Sequence, residues 1–395
     1  MPIPSPLHSR TAPLCASYEW RSWSGYLAAS LYHITHDPEY YAIRNAAAII
    51  DVSPLYKYEI IGPDSVSLLN RVMTRDIRKC AVNQVLYTCW CDDDGKAIDD
   101  GTVARLADDR FRVTAADPNL AWFQDCAYGM DVKVTDVSDR VAAIALQGPS
   151  SKAILQGLLS RIDLEQLRYY RLESTALDQM PLTVTRTGYT GDLGYELWVQ
   201  PEEAGSVWDR LMDTGSAYGL LPAGMVALDI ARIEAGLLLI DVDYISSRKA
   251  LIPDQKSSPF ELGLNWLVNL EKGYFIGRDA LMAEKANGSK WSFAGLEVDW
   301  NSLESLFAVA DLPPLVAGRA SRSSIPVYKN GRQIGYATSH TFSPILKKYI
   351  GLASLTPGNL LGETVQIEIT VEHARRTANA TLTRPQFYSP PWKKA

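Results

Sequence analysis

The sequence predicts an α+β protein whose C-terminal part is all β. In the N-terminal part, short apolar runs that are typical of strands alternate with helical patterns. From Trp291 onward the chain instead carries several short strand-like runs and few helical patterns, as in a small closed barrel. We therefore expect two regions, 1–290 and 291–395, the second of them a β-barrel.

Composition excludes several classes of protein. The chain has 395 residues, of which 47% are hydrophobic and 21% charged, and its net charge is -6. This length suggests two or three domains, and neither disorder nor a nucleic-acid partner fits the apolar content and the mild acidity. No apolar run reaches the ~18 residues that span a bilayer, and residues 1–14 do not resemble a secretion signal. We expect a cytoplasmic protein with no membrane or nucleic-acid partner.

The cysteines indicate buried thiols. Five cysteines are an odd number in a long chain, which argues against a disulfide framework. Cys89 and Cys91 have the alternate-residue spacing that places both thiols on one face of a strand. Because no second Cys/His pair stands at metal-ligand spacing, we predict no metal site.

Two segments of the chain look alike. Gly62-Pro63-Asp64-Ser65 and Gly148-Pro149-Ser150-Ser151 each follow an apolar run and precede a helical pattern. Asp or Ser at such a position can cap the free N–H groups of a helix start, where proline is tolerated. The recurrence predicts a duplicated strand–turn–helix unit.

The remaining elements follow from turn signals and periodicity. Asp94-Gly95 predicts a hairpin, and Asn330-Gly331 predicts another in the C-terminal region. Helices are predicted over 41–50, 207–218 and 225–239; strands over 58–61, 85–91, 96–106, 111–114, 142–146, 327–330, 332–337, 366–371 and 380–382; and a hairpin with a glycine-rich middle over 182–200.

The common catalytic signatures are missing. The sequence has no G-x-G-x-x-G after a strand, no G-x-x-x-x-G-K-[ST], no G-x-S-x-G and no H-E-x-x-H, and its five histidines are scattered. Nucleotide-binding, flavin, zinc-protease and serine-hydrolase functions therefore lose their main support.

Asp99 and Asp100 lie inside the strand predicted over 96–106. Adjacent strand residues point to opposite faces, so at most one of these carboxylates faces an interior cavity. A buried carboxylate needs a partner or it loses its charge. The residues alone favour an edge strand with both carboxylates in water.

Glu196 ends the glycine-rich segment, seven residues after Tyr189. Glycines allow the backbone to approach a flat ligand closely, and a carboxylate beyond an aromatic ring suits a planar heterocycle with N–H donors. An ordinary turn with a surface glutamate explains the pattern equally well.

Arg232 lies in the helical stretch 225–239. An arginine there can orient an anion or pair with Asp99. A solvated or salt-bridged side chain is the more frequent situation for a lone helical arginine.

Taken together, these segments resemble the aminomethyltransferase family, which includes the T-protein of the glycine cleavage system and tetrahydrofolate-dependent demethylases. Eight weak matches occur in family order over residues 40–390, which is a specific signal. They are Ile50-Asp51-Val52-Ser53, Asp94-Gly95 to Ile98-Asp99-Asp100, Leu146-Gln147-Gly148-Pro149, Thr187-Gly188-Tyr189-Thr190-Gly191 to Gly194-Tyr195-Glu196, Arg232 to Gly236, Leu262-Gly263-Leu264-Asn265-Trp266, Phe275-Ile276-Gly277-Arg278-Asp279-Ala280-Leu281 and Thr341-Phe342-Ser343-Pro344.

The resemblance implies a three-lobed fold, with tetrahydrofolate in a central channel and two intertwined lobes within residues 1–290. It implies that Glu196 holds the pterin edge, that Tyr189 packs nearby and that Asp99 is the catalytic aspartate. The further cofactor-binding positions that it implies are Arg232, Tyr87 and Trp266, followed by Tyr170 and Arg384.

Three departures from the T-protein pattern cluster on the substrate side. The chain has Ile240-Asp241 in place of Tyr-Gly, Ala115-Ala116-Asp117 in place of Val-Asn, and Pro54-Leu55 in place of His-Met. They favour a tetrahydrofolate-dependent one-carbon transferase that demethylates a small N-, O- or S-methylated substrate. The first alternative is the T-protein itself, whose partner is a lipoyl carrier protein.

Two further alternatives stay open. The second is a non-catalytic folate-binding accessory protein of the iron–sulfur assembly type. Such proteins are expected to carry Lys-Gly-Cys-Tyr, whereas Lys272-Gly273-Tyr274-Phe275 lacks the cysteine. The third is a folate module separated from a flavin oxidase.

Overall fold

Two β-sheets, a closed barrel and a small N-terminal hairpin make up the computed structural model, which describes residues 1–316 and 318–394. The hairpin pairs Trp20–Trp23 with Tyr26–Ala29. The α-helices of the described residues are His8–Leu14, Asp37–Asn45, Ser65–Val72, Leu120–Cys126, Ser151–Leu158, Pro201–Gly215, Met225–Glu234, Arg278–Asn287 and Trp300–Ala308. None of these helices has the length and apolar character that a membrane span requires.

The first sheet has five antiparallel strands. Their spatial order is Gln84–Cys91, Ala97–Ala107, Arg110–Ala115, Tyr56–Ile61 and Lys133–Asp136. The hairpin predicted at Asp94-Gly95 is confirmed, with Cys89 opposite Asp100 and Trp90 opposite Asp99. Because paired residues share a face, this register decides which aspartate faces which side of the sheet.

The second sheet has six strands. Their order is Leu172–Leu177, Met180–Thr185, Gly194–Val199, Ala142–Gln147, Ala47–Asp51 and Leu220–Pro222, and only the last pair is parallel. The hairpin predicted over 182–200 is confirmed, with Thr185 opposite Glu196.

The helix predicted over 41–50 is wrong in its second half. The helix Asp37–Asn45 ends early, and Ala47–Asp51 forms a strand inside the six-stranded sheet. Residues 47–50 are buried on both faces, as expected of a central strand. A short apolar run of this kind has no periodicity that distinguishes a strand from a buried helix.

The duplicated strand–turn–helix unit is confirmed, with one copy in each sheet. Gly62 joins the strand Tyr56–Ile61 to the helix Ser65–Val72, and Gly148 joins Ala142–Gln147 to Ser151–Leu158. Both glycines have a positive φ, +141° and +123°. An added Cβ would lie 2.5 and 2.7 Å from the nearest backbone oxygen, so both turns need glycine.

The barrel predicted at the C-terminal end is confirmed as a closed six-stranded barrel. Its strand order is Ser292–Val298, Lys348–Leu355, Arg332–Ser343, Ile325–Lys329, Thr364–Val371 and Ala374–Thr383. Asn330-Gly331 forms its predicted hairpin turn, with φ of +52° and +74°. The helix Trp300–Ala308 is an addition that periodicity did not indicate.

After the barrel the chain returns to the six-stranded sheet. The amides of Phe387 and Tyr388 donate to the carbonyl of Glu234. The Tyr388 hydroxyl (3.0 Å) and the Trp392 indole N–H (2.8 Å) both donate to the buried carboxylate of Asp192. The segment 384–394 therefore packs against the loop that precedes Glu196.

Candidate active site

A cavity of about 260 Å³ lies where both sheets, the N-terminal hairpin and the segment before the barrel meet. Its wall is mainly apolar, with a few polar groups, as in small-molecule sites. The charged, amide and aromatic wall residues are Arg21, Trp23, Tyr87, Asp100, Gln147, Tyr170, Tyr189, Glu196, Asp229 and Arg322.

Glu196 lies on the cavity wall, where the sequence places a ligand-binding carboxylate. Burial raises the pKa of its carboxyl group, while hydrogen bonds from the side chains of Thr187 and Trp198 and the charge of Lys57 lower it. Lys57 is itself buried, and its ammonium donates to two backbone carbonyls, those of Ser53 (2.8 Å) and Leu55 (2.7 Å). This lysine supplies a positive charge near Glu196 that the sequence pattern did not reveal.

The glycine-rich loop is built around Gln147. The Gln147 amide donates to the carbonyls of Thr187 and Tyr195, both at 3.2 Å, and its Oε1 accepts from the Thr190 hydroxyl at 2.9 Å. A Cβ at Gly188 would lie 2.0 Å from Oε1 of Gln147. The loop therefore needs glycine so that its backbone can close over this amide.

Two tyrosines of the predicted site also lie on the wall. The Tyr189 hydroxyl donates to the carbonyl of Leu238, another wall residue, and this bond fixes the ring. The Tyr87 hydroxyl donates to Asp100 at 2.6 Å. Tyr170 contributes a third phenol ring, packed edge-on against Tyr169 at 4.6 Å between centroids.

Of the two consecutive aspartates, Asp100 lies on the cavity wall and Asp99 does not. One oxygen of its carboxylate accepts from the Tyr87 hydroxyl, and the other accepts from the Tyr244 hydroxyl at 2.5 Å. Burial raises the pKa of Asp100, and the two phenol donors lower it. A carboxylate held by two neutral donors inside an apolar cavity can interact strongly with a developing positive charge or take up a proton.

Asp99 is fully buried on the other face of the strand. Its carboxylate accepts from the amides of Asp100 (2.8 Å) and Asp117 (3.0 Å) and from the side chain of Asn119 (2.9 Å). Burial, followed by the charge of Asp100, raises its pKa well above the ordinary value. The structure thus places Asp100 on the cavity wall and the predicted catalytic residue Asp99 behind it, because strand alternation allows only one of them to reach the cavity.

Arg232 lies behind the cavity wall. Its fully buried guanidinium donates to Asp243 at 2.5 Å and to the Ser339 hydroxyl at 2.8 Å. These contacts join the helix Met225–Glu234 to the barrel strand Arg332–Ser343. The side chain that the sequence predicts to bind cofactor is thus a buried link between lobes.

Trp266 lies at the outer surface, with 60% of its area exposed. Its ring is 6.0 Å from that of Tyr87, and the guanidinium of Arg75 lies 5.8 Å from its centroid. Trp266 therefore touches the site only through Tyr87. Arg384, the other outlying candidate, is not among the wall residues.

One feature of the wall was not predicted from the sequence. Arg322 donates to Asp229 through two nitrogens, at 3.0 and 2.6 Å, and Arg21 approaches the same carboxylate at 3.6 Å. The three residues come from the N-terminal hairpin, a helix and the connection between the barrel strands Ser292–Val298 and Ile325–Lys329. No local motif could have brought them together.

Comparisons with family models cover most of the chain. Residues 7–272 match the GCVT N-terminal domain, and residues 314–389 match the glycine cleavage T-protein C-terminal barrel domain. The crystal structure of the glycine cleavage system aminomethyltransferase T from Bartonella henselae superimposes with a TM-score of 0.82, covering 100% of this chain and 99% of that one. At 21% identity, this match shows the fold.

Two relatives illustrate the sequence similarity. An aminomethyltransferase of Desulfitobacterium hafniense (strain DSM 10664 / DCB-2) is 34% identical over 336 residues, which are 84% of this chain and 85% of that protein. A trimethylamine-oxide aldolase of Ruegeria pomeroyi is 35% identical over 365 residues, which are 89% of this chain but 43% of that protein. The predicted three-lobed fold and transferase class are confirmed by these matches.

Proposed function

The chain belongs to the glycine cleavage T-protein family of aminomethyltransferases, and from that premise we propose that it transfers a nitrogen-bound one-carbon unit to tetrahydrofolate inside this cavity. The observation that carries the proposal is the pair of carboxylates on one apolar wall. Glu196 can hold a ligand at one place, and Asp100 can serve the reacting atoms at another.

The residues of the cavity fit a reduced folate. A pterin is a flat heterocycle whose amino-pyrimidinone edge carries two N–H donors, and a carboxylate accepts such a pair with good geometry. Glu196 offers that carboxylate beside the ring of Tyr189, and the apolar side chains of Ile50 and Val52 line the same wall. The buried Lys57 favours the ionised form of Glu196 that this contact requires.

Bound tetrahydrofolate would supply the nitrogen nucleophile that accepts the one-carbon unit. Asp100 then stabilises positive charge on the transferred group or accepts a proton. Glu196 is engaged by the ligand and Asp229 is paired with arginines, whereas the carboxylate of Asp100 is held by two phenols. Tyr87 and Tyr244 hold this carboxylate in one orientation. Orientation matters because positioning can supply a large part of the catalysis in such a transfer.

The names of the relatives support an aminomethyl group as the donor, carried by a lipoyl carrier protein as partner. A small methylated amine is the second candidate. The aromatic wall formed by Trp23, Tyr87, Tyr170 and Tyr189 favours it, because such rings attract a methylated ammonium. The trimethylamine-oxide aldolase among the relatives is consistent with a small methylated nitrogen compound as donor.

Calorimetry with tetrahydrofolate tests the binding half of the proposal. We expect saturable binding to the wild type and a roughly ten- to hundredfold weaker affinity for Glu196→Gln, because a charge-assisted contact is lost. Glu202→Gln, at an exposed glutamate of the helix Pro201–Gly215, is the matched control and should bind as the wild type does. Equal affinities for all three proteins would remove Glu196 from the folate contact, and no saturation at all would overturn the proposed function.

A donor comparison tests the other half. The wild type is incubated with tetrahydrofolate and either an aminomethylated lipoyl carrier protein or a set of methylated amines, and folate products are measured by mass spectrometry. Methylene-tetrahydrofolate from the carrier alone supports the aminomethyl donor, whereas product from the amines alone supports the second candidate. A non-catalytic folate-binding protein would form product with neither.

A further inference from the structure

Asp100 receives one phenol hydrogen bond on each oxygen. Tyr87 donates to Oδ2 at 2.6 Å and Tyr244 to Oδ1 at 2.5 Å. Tyr87 lies on the cavity wall, where its ring also faces the cavity. Tyr244 is 4% exposed and is not a wall residue, so it reaches the cavity only through Asp100.

The backbone around Tyr244 is held in a tight loop. The Asp241 amide donates to the Tyr244 carbonyl at 2.7 Å, and Asp241 itself has a φ of +64°. A non-glycine residue in this region costs free energy and persists only where its surroundings enforce it. The loop is therefore fixed by contacts other than its own backbone preference.

Those contacts come from the neighbouring residue, Asp243. Its carboxylate accepts from Arg232 (2.5 Å), from the Leu239 amide (2.9 Å) and from the Ser339 hydroxyl of the barrel (2.6 Å). Asp243 is thus clamped between a helix and the barrel. Tyr244, the next residue in the chain, is therefore held in a fixed position as well.

We infer that Tyr244 is a positioning residue for the carboxylate of Asp100, and that the Arg232–Asp243 pair is the anchor that holds Tyr244 in place. The role of Asp100 in catalysis rests on the proposed function. The contact between Tyr244 and Asp100, and its effect on the proton affinity of Asp100, are independent of the proposed function.

The direction of that effect follows from the groups around Asp100. The titratable groups on its own side of the strand are Tyr87, Cys89, Tyr189, Asp243 and Tyr244, and the charge of Asp99 acts on it from the other face. The charge of Asp243 favours the protonated form, and the two phenol donors are the groups that lower the pKa. Removal of the Tyr244 hydroxyl must therefore raise the pKa of Asp100.

The test is a carboxyl titration by NMR of full-length protein labelled with ¹³C at the aspartate carboxyl carbons. The Asp100 signal is assigned by its loss in Asp100→Asn. We expect the midpoint of this signal to move up by about one pH unit in Tyr244→Phe, the shift that corresponds to one hydrogen bond to a charged group. Tyr328→Phe, which removes a phenol–carboxylate contact with Glu368 in the barrel, is the matched control and should leave the midpoint unchanged.

Replacement of Tyr244 by 4-aminophenylalanine keeps a ring and an N–H donor at the same place. The 4-aminophenylalanine variant should return the Asp100 midpoint toward the wild-type value. A side chain that only fills space would not have this effect. The same variant replaces Tyr244→Phe in the test if the Phe variant does not fold. An unchanged midpoint in Tyr244→Phe would overturn the inference.

Turnover measurements connect the contact to the reaction. In Tyr244→Phe the acid limb of the kcat profile should move up with the Asp100 midpoint, while the affinity for tetrahydrofolate stays within twofold of the wild type. A wild type that binds no tetrahydrofolate would contradict the proposed function without touching the NMR result. An active Tyr244→Phe with a wild-type acid limb would contradict the positioning role alone.

Discussion

The carboxylates of Asp99 and Asp100 lie on opposite faces of one strand, although the two residues are consecutive. Asp99 is enclosed by backbone amides and Asn119, whereas Asp100 faces the cavity between two phenols. Substitutions at these two positions can therefore distinguish an effect on catalysis from an effect on the stability of the fold.

Asparagine at each position should have different consequences. We expect Asp100→Asn to lower kcat at least about a hundredfold with little change in tetrahydrofolate affinity, since an amide neither accepts a proton nor carries charge. Asp99→Asn should instead lower the free energy of unfolding by about 1–3 kcal/mol, because its NH₂ group would face existing N–H donors. Steady-state kinetics and urea unfolding of both variants check this assignment, and the reverse pattern would return the catalytic role to Asp99.

A methyl group at Gly188 should disrupt the loop above Gln147. The added Cβ would lie 2.0 Å from Oε1 of a glutamine that is 1% exposed, so we expect Gly188→Ala to destabilise the fold by about 1–3 kcal/mol and to weaken folate binding. Gly157→Ala is the control, because its nearest neighbour would be 3.6 Å away and the residue lies on an exposed helical turn. There the substitution should raise stability by up to ~1 kcal/mol, as thermal unfolding can show.

The barrel should lose stability in acid because of His340. Burial lowers the pKa of this imidazole to about 4, from an ordinary value near 6.5. Between pH 6.5 and 4 the unfolded chain therefore binds a proton that the folded protein does not. As the pH is lowered through this range, the free energy of unfolding decreases by up to about 3 kcal/mol. Unfolding measured at pH 7 and pH 4 should show a smaller difference for His340→Gln than for the wild type, and an equal difference would contradict this source of acid sensitivity.

The segment after the barrel should support the glycine-rich loop that precedes Glu196. Trp392→Phe and Tyr388→Phe each remove one donor to the buried Asp192, and we expect a loss of about 1 kcal/mol of stability for each, with weaker tetrahydrofolate binding. Trp300→Phe, at a partly exposed position on a barrel helix, is the control. Unchanged binding in both variants would separate this segment from the site.

Much of the fold could be predicted because its turns are local. Asp94-Gly95 and Asn330-Gly331 place two hairpins, and the glycine-rich segment places Glu196 and Tyr189 on one cavity wall. For the two hairpins the decisive interaction lies within a few residues, where backbone preferences act, whereas the glycine-rich segment also depends on the distant Gln147.

The rest depends on long-range contacts. The register of the hairpin shifts between Trp90 and Cys91, so counting alternate residues back from the turn does not tell which aspartate faces the cavity. Arg21 and Arg322 meet at Asp229 from distant parts of the chain, and the spacing of these residues in the sequence does not predict the contact. The family resemblance implies that Arg232 binds cofactor, and nothing local shows that the barrel covers it.

The return of the segment 384–394 to Asp192 also sets an order of events during synthesis. Asp192 and Trp392 are 200 residues apart, so the glycine-rich loop that precedes Glu196 has left the ribosome long before Trp392 does. Until then the Asp192 carboxylate has the Leu193 amide (2.8 Å) and the Arg44 guanidinium (3.4 Å) as donors, but not Tyr388 or Trp392. The protein therefore acquires a fully braced cavity only after the barrel has been translated, which makes ligand capture a late step in its biogenesis.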